Sequence, residues 1–168
     1  VERLREKYSK PIVGSVQTWD VLEKLGLAYD PTDKQLCAVS QWIHTLQVVE
    51  GMEKDRIDNE LLLLTGWLHD LGKVLLVYGE SPENVVCGNS VISGNIGVGL
   101  DNCILQWNHD EFGYKVFSEI LPYEYSWLIR YHSIDVNKCS EYFNQKDRSL
   151  VDKFLNPFKK YDKGTKSM

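Results

Sequence analysis

A chain of 168 residues, 43% of them hydrophobic, is long enough to bury one sizeable core. Its 19 basic and 24 acidic residues are mixed along the chain and leave a net charge of −5, which argues against a polyphosphate partner: nucleic-acid binders carry a basic stripe. The longest apolar run, Leu61 to Leu64, is far too short to cross a bilayer, so no membrane association is expected.

Nothing at the N-terminus reads as a signal peptide, and Val1 in place of an initiator Met suggests a sequence that is trimmed or begins inside a longer chain. Cys37, Cys87, Cys103 and Cys139 are widely spaced and form no CxxC. Reduced thiols in a cytoplasmic protein are the expectation.

In chain order, Val16, Trp19, Leu22 and Leu25 form a helical stripe with Ser15 as its predicted N-cap and Gly26 as its stop. "DPTDKQ" at 30–35 reads as a turn into a helix carrying Val39, Trp42, Ile43, His44, Leu46 and Val49. "DNELLLLTGWLHD" has Asp58 as its capping candidate and runs apolar to His69-Asp70. Residues 81–99, rich in Gly, Ser and Asn, read as an irregular loop. Helices are predicted to resume with "LDNCILQWNHD" and "EFGYKVFSEIL". Pro122 opens the next, "PYEYSWLIRYHS". "KDRSLVDKFL" follows, and Asn156-Pro157 reads as the N-cap and first position of a short final helix ending near Asp162. Strand-like alternation is scarce, and no linker or repeat divides residues 1–168. One all-α domain is expected, with nothing to suggest a coiled coil; a monomer is the expected state.

All four histidines, His44, His69, His109 and His132, fall in or at the ends of predicted helices. A lone histidine on an apolar face is usually a core residue bonded to a carbonyl. Four of four in such positions, together with the His69-Asp70 pair, leave that reading open beside a second one. Neutral imidazole with carboxylate suits borderline divalent metals, and a carboxylate such as Asp70 can bridge two ions.

"HDLGK" at 69–73, with His44 upstream and further histidines downstream, resembles the HD-domain superfamily, a helical bundle around a metal site. "QWIHTLQVVEG", "LLLLTGWLHDLGKVLLVYGE", "ILQWNHDEFGYKV", "WLIRYHS" and "NPFKKYDKGTK" are similar, in order and style, to the myo-inositol oxygenase family, from about Gln17 to Lys166. The resemblance implies two iron ions in a mixed-valent Fe(II)/Fe(III) pair. His44, His69 and Asp162 would hold one, His109 and His132 the other, and Asp70 would bridge. It implies a cytoplasmic oxidoreductase that uses O2 to cleave a C–C bond of a small polyol, myo-inositol giving D-glucuronate.

Lys73, one turn after the pair, is by spacing either a solvated lysine or a cavity residue. The resemblance makes it a catalytic residue that contacts the polyol. It likewise implies substrate contacts by Asp30, Asn89, Ser133 and Lys166. Asp110, Glu111 and Arg130 lie beside predicted ligands and are candidates for fixing imidazole tautomers, with a solvated position equally open for Glu111. Trp42, Trp67, Trp107 and Trp127 are expected to be packing residues.

The chain departs from the family in four places. The loop between "HDLGK" and "WNHDE" is short. Asn89 stands where the family's substrate loop has an aspartate. "KGTK" replaces an aromatic-containing turn, and the N-terminal segment is short. Asp30 also lies one residue out of its usual spacing to His44. Gly94, Gly97 and Gly99 lack the context of a phosphate-binding loop. Three rival readings stay open. The first is a di-iron oxygenase of hydroxyalkyl phosphonates, although the 30 residues from His132 to Asp162 are few for that branch. The second is a metal-dependent phosphohydrolase, although the chain has "FGYK" without the expected proline and no His-His pair. The third is a non-catalytic domain, against which six intact ligands argue.

Overall fold

The computed structural model describes residues 1–10, 16–31 and 40–164. The predicted N-cap Ser15, most of the 30–35 turn, Val39, Cys37 and Lys166 lie outside the described residues. The chain is all-α. Its helices are α1 (Glu2–Lys7), α2 (Thr18–Lys24), α3 (Gln41–Lys54), α4 (Glu60–Leu68), α5 (Pro82–Val85), α6 (His109–Phe117), α7 (Tyr123–Tyr131), α8 (Val136–Cys139), α9 (Gln145–Leu150) and α10 (Asn156–Gly164). A 3-10 segment, Leu71–Leu76, follows α4 directly.

Five predictions need correction. The 81–99 segment contains α5 and a short strand, β1 (Val91–Ser93), which pairs antiparallel with β2 (Ile104–Leu105). The helix predicted from residue 100 is therefore a 3-10 turn at Leu100–Asn102 followed by β2, and α6 starts only at His109. Its N-cap is Asn108, whose side chain accepts from the amides of Asp110 and Glu111. The cap of α4 is Asn59, accepting from the Leu62 amide, and not Asp58. At the far end, Asn156 is itself helical and caps nothing. A π-helical turn, Val151–Leu155, joins α9 to α10, and the Asn156 amide reaches back five residues to the Val151 carbonyl. Pro157 explains that turn: a proline inside a helix has no amide and its ring crowds the preceding turn, which the wider winding relieves. The predicted α2 stripe is buried only in part: Leu22 and Leu25 are in the core, while Val16 and Trp19 are about half exposed.

The main core is built on α3 and α7. Val48 and Met52 meet Trp127, Leu128, Tyr131 and Ile134, and Phe154, Leu155 and Phe158 close it from the C-terminal side. A second cluster joins Leu22 and Leu25 to Leu68, Leu71, Phe117 and Ile129. A third packs Leu4 and Tyr8 against Leu75, Val85 and Trp107. Trp107 and Trp127 are buried, and Trp42 and Trp67 pack with Trp19, as packing residues should. Between these clusters run the ends of α4, α6 and α7 and the middle of α3, and there the polar residues gather. No helix among the described residues is long and apolar enough to cross a membrane.

Candidate metal centre

Helix ends leave backbone carbonyls without partners, and two histidines use them. His69 is the C-cap of α4, and its Nδ1 lies 2.8 Å from the Gly66 carbonyl. His132 is the C-cap of α7, with Nδ1 2.9 Å from the Ile129 carbonyl. His109, first residue of α6, points Nδ1 at the Val85 carbonyl at 2.7 Å. A carbonyl only accepts, so each Nδ1 carries the hydrogen, and in the neutral ring Nε2 is left with a bare lone pair. Backbone carbonyls thus fix the three tautomers. Glu111 and Arg130, predicted for that role, do not fill it, and Asp110 meets the rings on their other side, its Oδ1 2.8 Å from His109 Nε2 and 3.7 Å from His132 Nε2.

All three Nε2 atoms face the Asp70 carboxylate, as does that of His44 from the body of α3. Asp70 Oδ2 lies 3.6 Å from His44 and 3.5 Å from His69, and its Oδ1 lies 3.2 Å from His109 and 3.3 Å from His132. Asp162 Oδ1, on α10, approaches His44 at 3.2 Å and His69 at 3.9 Å. Two groups with metal-ligand spacing result, His44–His69–Asp70 and Asp70–His109–His132, sharing one carboxylate. All six residues are buried.

Lone pairs facing lone pairs in a dry site are repulsive unless a cation lies between them. His69 Nε2 has no hydrogen-bond partner, and His109 Nε2 is crowded by two carboxylate oxygens, Asp110 Oδ1 at 2.8 Å and Asp70 Oδ1 at 3.2 Å. Imidazole nitrogens with shared carboxylate oxygens are the donor set of iron, manganese or zinc, so the residues fit such ions. Without a metal, protons carry part of that charge. Burial depresses His109, but Asp110 and Asp70 outweigh it and raise it to about 10. Burial wins at His69, which drops to about 4. Asp70 resists burial and stays well below the usual carboxylate range through Lys73 and the imidazoles. Loading a metal must displace the protons held by the imidazoles.

Lys73 is buried, and its spacing to Asp70 is set by the 3-10 segment. Its Nζ lies 3.0 Å from Asp70 Oδ2, 3.0 Å from Gln41 Oε1 and 3.4 Å from Asp30 Oδ2. Burial opposes its charge, but Asp70 and Asp30 outweigh that and raise its pKa. Gln41, fully buried at the start of α3, was not singled out from the sequence; its place one turn before His44 was the available signal.

A cavity of about 120 Å³ opens over these groups, lined by Asp30, Lys73, Cys87, Gly88, Ser133 and Asp162 beside the ligand positions. Asn89, predicted as a substrate contact, is buried behind the lining, its amide nitrogen bonded to Asp110 and to the Arg130 carbonyl. Glu111 is buried and not solvated: it takes Arg130 Nε at 2.5 Å and Nη2 at 3.3 Å, clamping α6 to α7. Gly72 permits the same approach from the other side, since a Cβ there would meet the His109 carbonyl group, 2.8 Å from its carbon.

The family model described as myo-inositol oxygenase matches residues 1–97 and 93–168. Inositol oxygenase 1 of Arabidopsis thaliana is 33% identical over 207 residues, covering 99% of this chain and 66% of that protein. The probable inositol oxygenase of Oryza sativa subsp. japonica is also 33% identical, over 99% of this chain and 67% of its own length. Inositol oxygenase of Danio rerio is 27% identical over 91% of the chain. The chain spans about two thirds of the length of these curated relatives.

Proposed function

The chain belongs to the myo-inositol oxygenase family, and from that premise we propose that it is an oxidoreductase in which an HD-type helical domain holds two iron ions and cleaves a C–C bond of a small polyol with O2. myo-Inositol is the substrate of choice: with one O2 it gives D-glucuronic acid and one water, so no reductant is consumed. The observation that carries this reading is the division of the Asp70 carboxylate, Oδ2 toward His44 and His69 and Oδ1 toward His109 and His132. His44, His69 and Asp162 would hold one ion and His109 and His132 the other, with Asp70 shared.

When bound, a mixed-valent Fe(II)/Fe(III) pair supplies Lewis acidity toward vicinal hydroxyls and the electron that engages O2. The chain's own residues bind and orient. Lys73 and Asp30 are in long contact at 3.4 Å. A substrate hydroxyl inserted between them would accept from Nζ and donate to the carboxylate. Ser133 and Lys166 are assigned to further hydroxyls of the ring.

A phosphonate is a poorer fit. Among the described residues lining the cavity, Lys73 is the lysine or arginine, and two of its three N–H groups are taken by Asp70 and Gln41, so a ligand can claim only the one beside the Asp30 carboxylate. An oxyanion would meet the Asp30 and Asp162 carboxylates instead. Cys87, Cys103 and Cys139 are free thiols, which supports a cytoplasmic setting.

The test is anaerobic loading with Fe(II), partial oxidation, and low-temperature EPR before and after adding myo-inositol. A coupled mixed-valent signal that changes on addition is expected. A signal indifferent to inositol would remove inositol as the substrate. The lack of any coupled signal would sink the shared-carboxylate centre.

A further inference from the structure

One hydrogen-bonded chain behind the cavity has its direction fixed throughout. It begins at the Arg130 backbone carbonyl, in the last turn of α7, which can only accept. Asn89 Nδ2 lies 2.7 Å from that oxygen, so the amide is oriented with its nitrogen there. The same nitrogen donates to Asp110 Oδ2 at 2.9 Å, which makes Oδ2 an acceptor. Ser133 Oγ also bonds Asp110 Oδ2, and toward an accepting carboxylate oxygen the hydroxyl must donate. Its single hydrogen is therefore committed. Ser133 is exposed at the cavity lip, and what it offers inward is lone pairs alone.

We propose that Asp110 is a positioning residue that, through Ser133, makes this edge of the cavity an obligate acceptor and so selects a ligand that presents a hydroxyl hydrogen there and rejects one that presents a carbonyl oxygen. The inference rests on the polyol reading and adds a polarity to it. The buried Asn89 Oδ1, without a hydrogen-bond partner, is a consequence of the same fixed orientation. The fully buried Asp110 is the hub, joining the 81–99 segment to the end of α7. Freed from Asp110, the serine hydroxyl could turn its hydrogen inward and serve a carbonyl as well as a hydroxyl.

The experiment is anaerobic calorimetry on the iron-loaded protein, where binding proceeds without turnover. The probes are myo-inositol and its monoketo analogues, with the carbonyl at each ring carbon in turn. The wild-type protein should reject at least one monoketone by about tenfold relative to inositol, the scale of one hydrogen bond lost and an acceptor opposed. Ser133→Ala and Asp110→Ala should each bring that ratio close to one, and the double variant should lower it no further. Ser133→Thr should restore it. A merely structural Asp110 would weaken all ligands alike and leave the ratio unchanged. An unchanged ratio in Ser133→Ala, an exposed position whose loss threatens no core, would overturn the inference even if Asp110→Ala did not fold. So would losses that multiply in the double variant. Binding of inositol without these changes would overturn the inference alone, whereas no binding by the wild-type protein would remove the polyol reading and the inference with it.

Discussion

At the residue scale, the centre separates into halves that single substitutions should report one at a time. His109→Ala removes an imidazole from one group only, so metal analysis after loading and desalting is expected to fall from two ions per chain to one. Asp70→Ala touches both groups and should leave none. Equal loss in the two variants would mean that the carboxylate is not shared. Asn89 gives a second expectation. Its amide nitrogen donates to Asp110 at 2.9 Å. Asn89→Asp would set two buried carboxylates against each other and leave a carbonyl unserved. A destabilisation of about 1–3 kcal/mol is expected in urea unfolding. The four histidines and Asp70 stood out in the sequence by residue type and helical position, whereas Asp162 and the grouping of the six followed only from the family resemblance. The carbonyls that lock the tautomers were not legible, because Gly66, Val85 and Ile129 contribute backbone atoms and any residue type could stand there. Asn89 was read as a substrate contact for the related reason that a sequence gives a loop's membership and not the direction of its side chains.

At the element scale, the centre depends on how closely the 3-10 segment after α4 approaches the start of α6. Gly72 makes that approach possible, and its neighbour is backbone, which cannot swing aside. Gly72→Ala should cost about 2–3 kcal/mol and should also release the ion on the His109 side, since His109 must move. A variant of unchanged metal content would show that the approach is not needed. The glycine of "HDLGK" was visible, but the contact it serves is 37 residues away in the chain. Helix α1 is tied down by Glu80, which takes Lys7 Nζ at 2.5 Å, Asn84 at 2.8 Å and the Tyr8 hydroxyl. Burial pushes the Glu80 carboxyl up, but these donors and the Ser81 amide outweigh it and hold it at about 2, against an ordinary 4.5. A depressed carboxylate stabilises fully above its unfolded pKa and loses that contribution as pH falls through the folded one. Glu80→Gln should therefore cost about 1 kcal/mol above pH 4.5, allowing for solvent around Lys7, and the difference from wild type should vanish as the pH approaches 2. Urea melts across that range measure it. Helix positions in general followed from apolar periodicity. The π turn before Pro157 and the β1–β2 pair did not, because the first answers a steric conflict and the second needs two short segments to meet.

At the scale of the whole molecule, the matched span of 207 positions in a relative exceeds the 168 residues of this chain, and the two family-model matches meet at residues 93–97. The relatives thus carry residues that this chain lacks, and the break points to the tip beyond β1. The structure shows why a segment can come and go there. Gly97 and Gly99 donate their amides to the Glu141 and Tyr142 carbonyls, each at 2.8 Å, and Gly99 sits at φ +93° against the Asn144 side chain, so the base of the loop is fastened. The tip is not: Ile96 is 79% exposed. Ten glycine and serine residues inserted between Asn95 and Ile96 would cost chiefly loop-closure entropy, which grows only with the logarithm of length. The expected loss is about 1 kcal/mol, or a fall of about 2–4 °C in Tm, with metal content unchanged. The same insertion between Gly72 and Lys73, inside the 3-10 segment, breaks the spacing that holds Lys73 beside Asp70 and the close approach to His109. That variant should lose metal as well as stability. If both insertions cost the same and both release metal, the loop tip is part of the centre's scaffold, and the short loop would be a constraint on this chain instead of a place where the family varies freely.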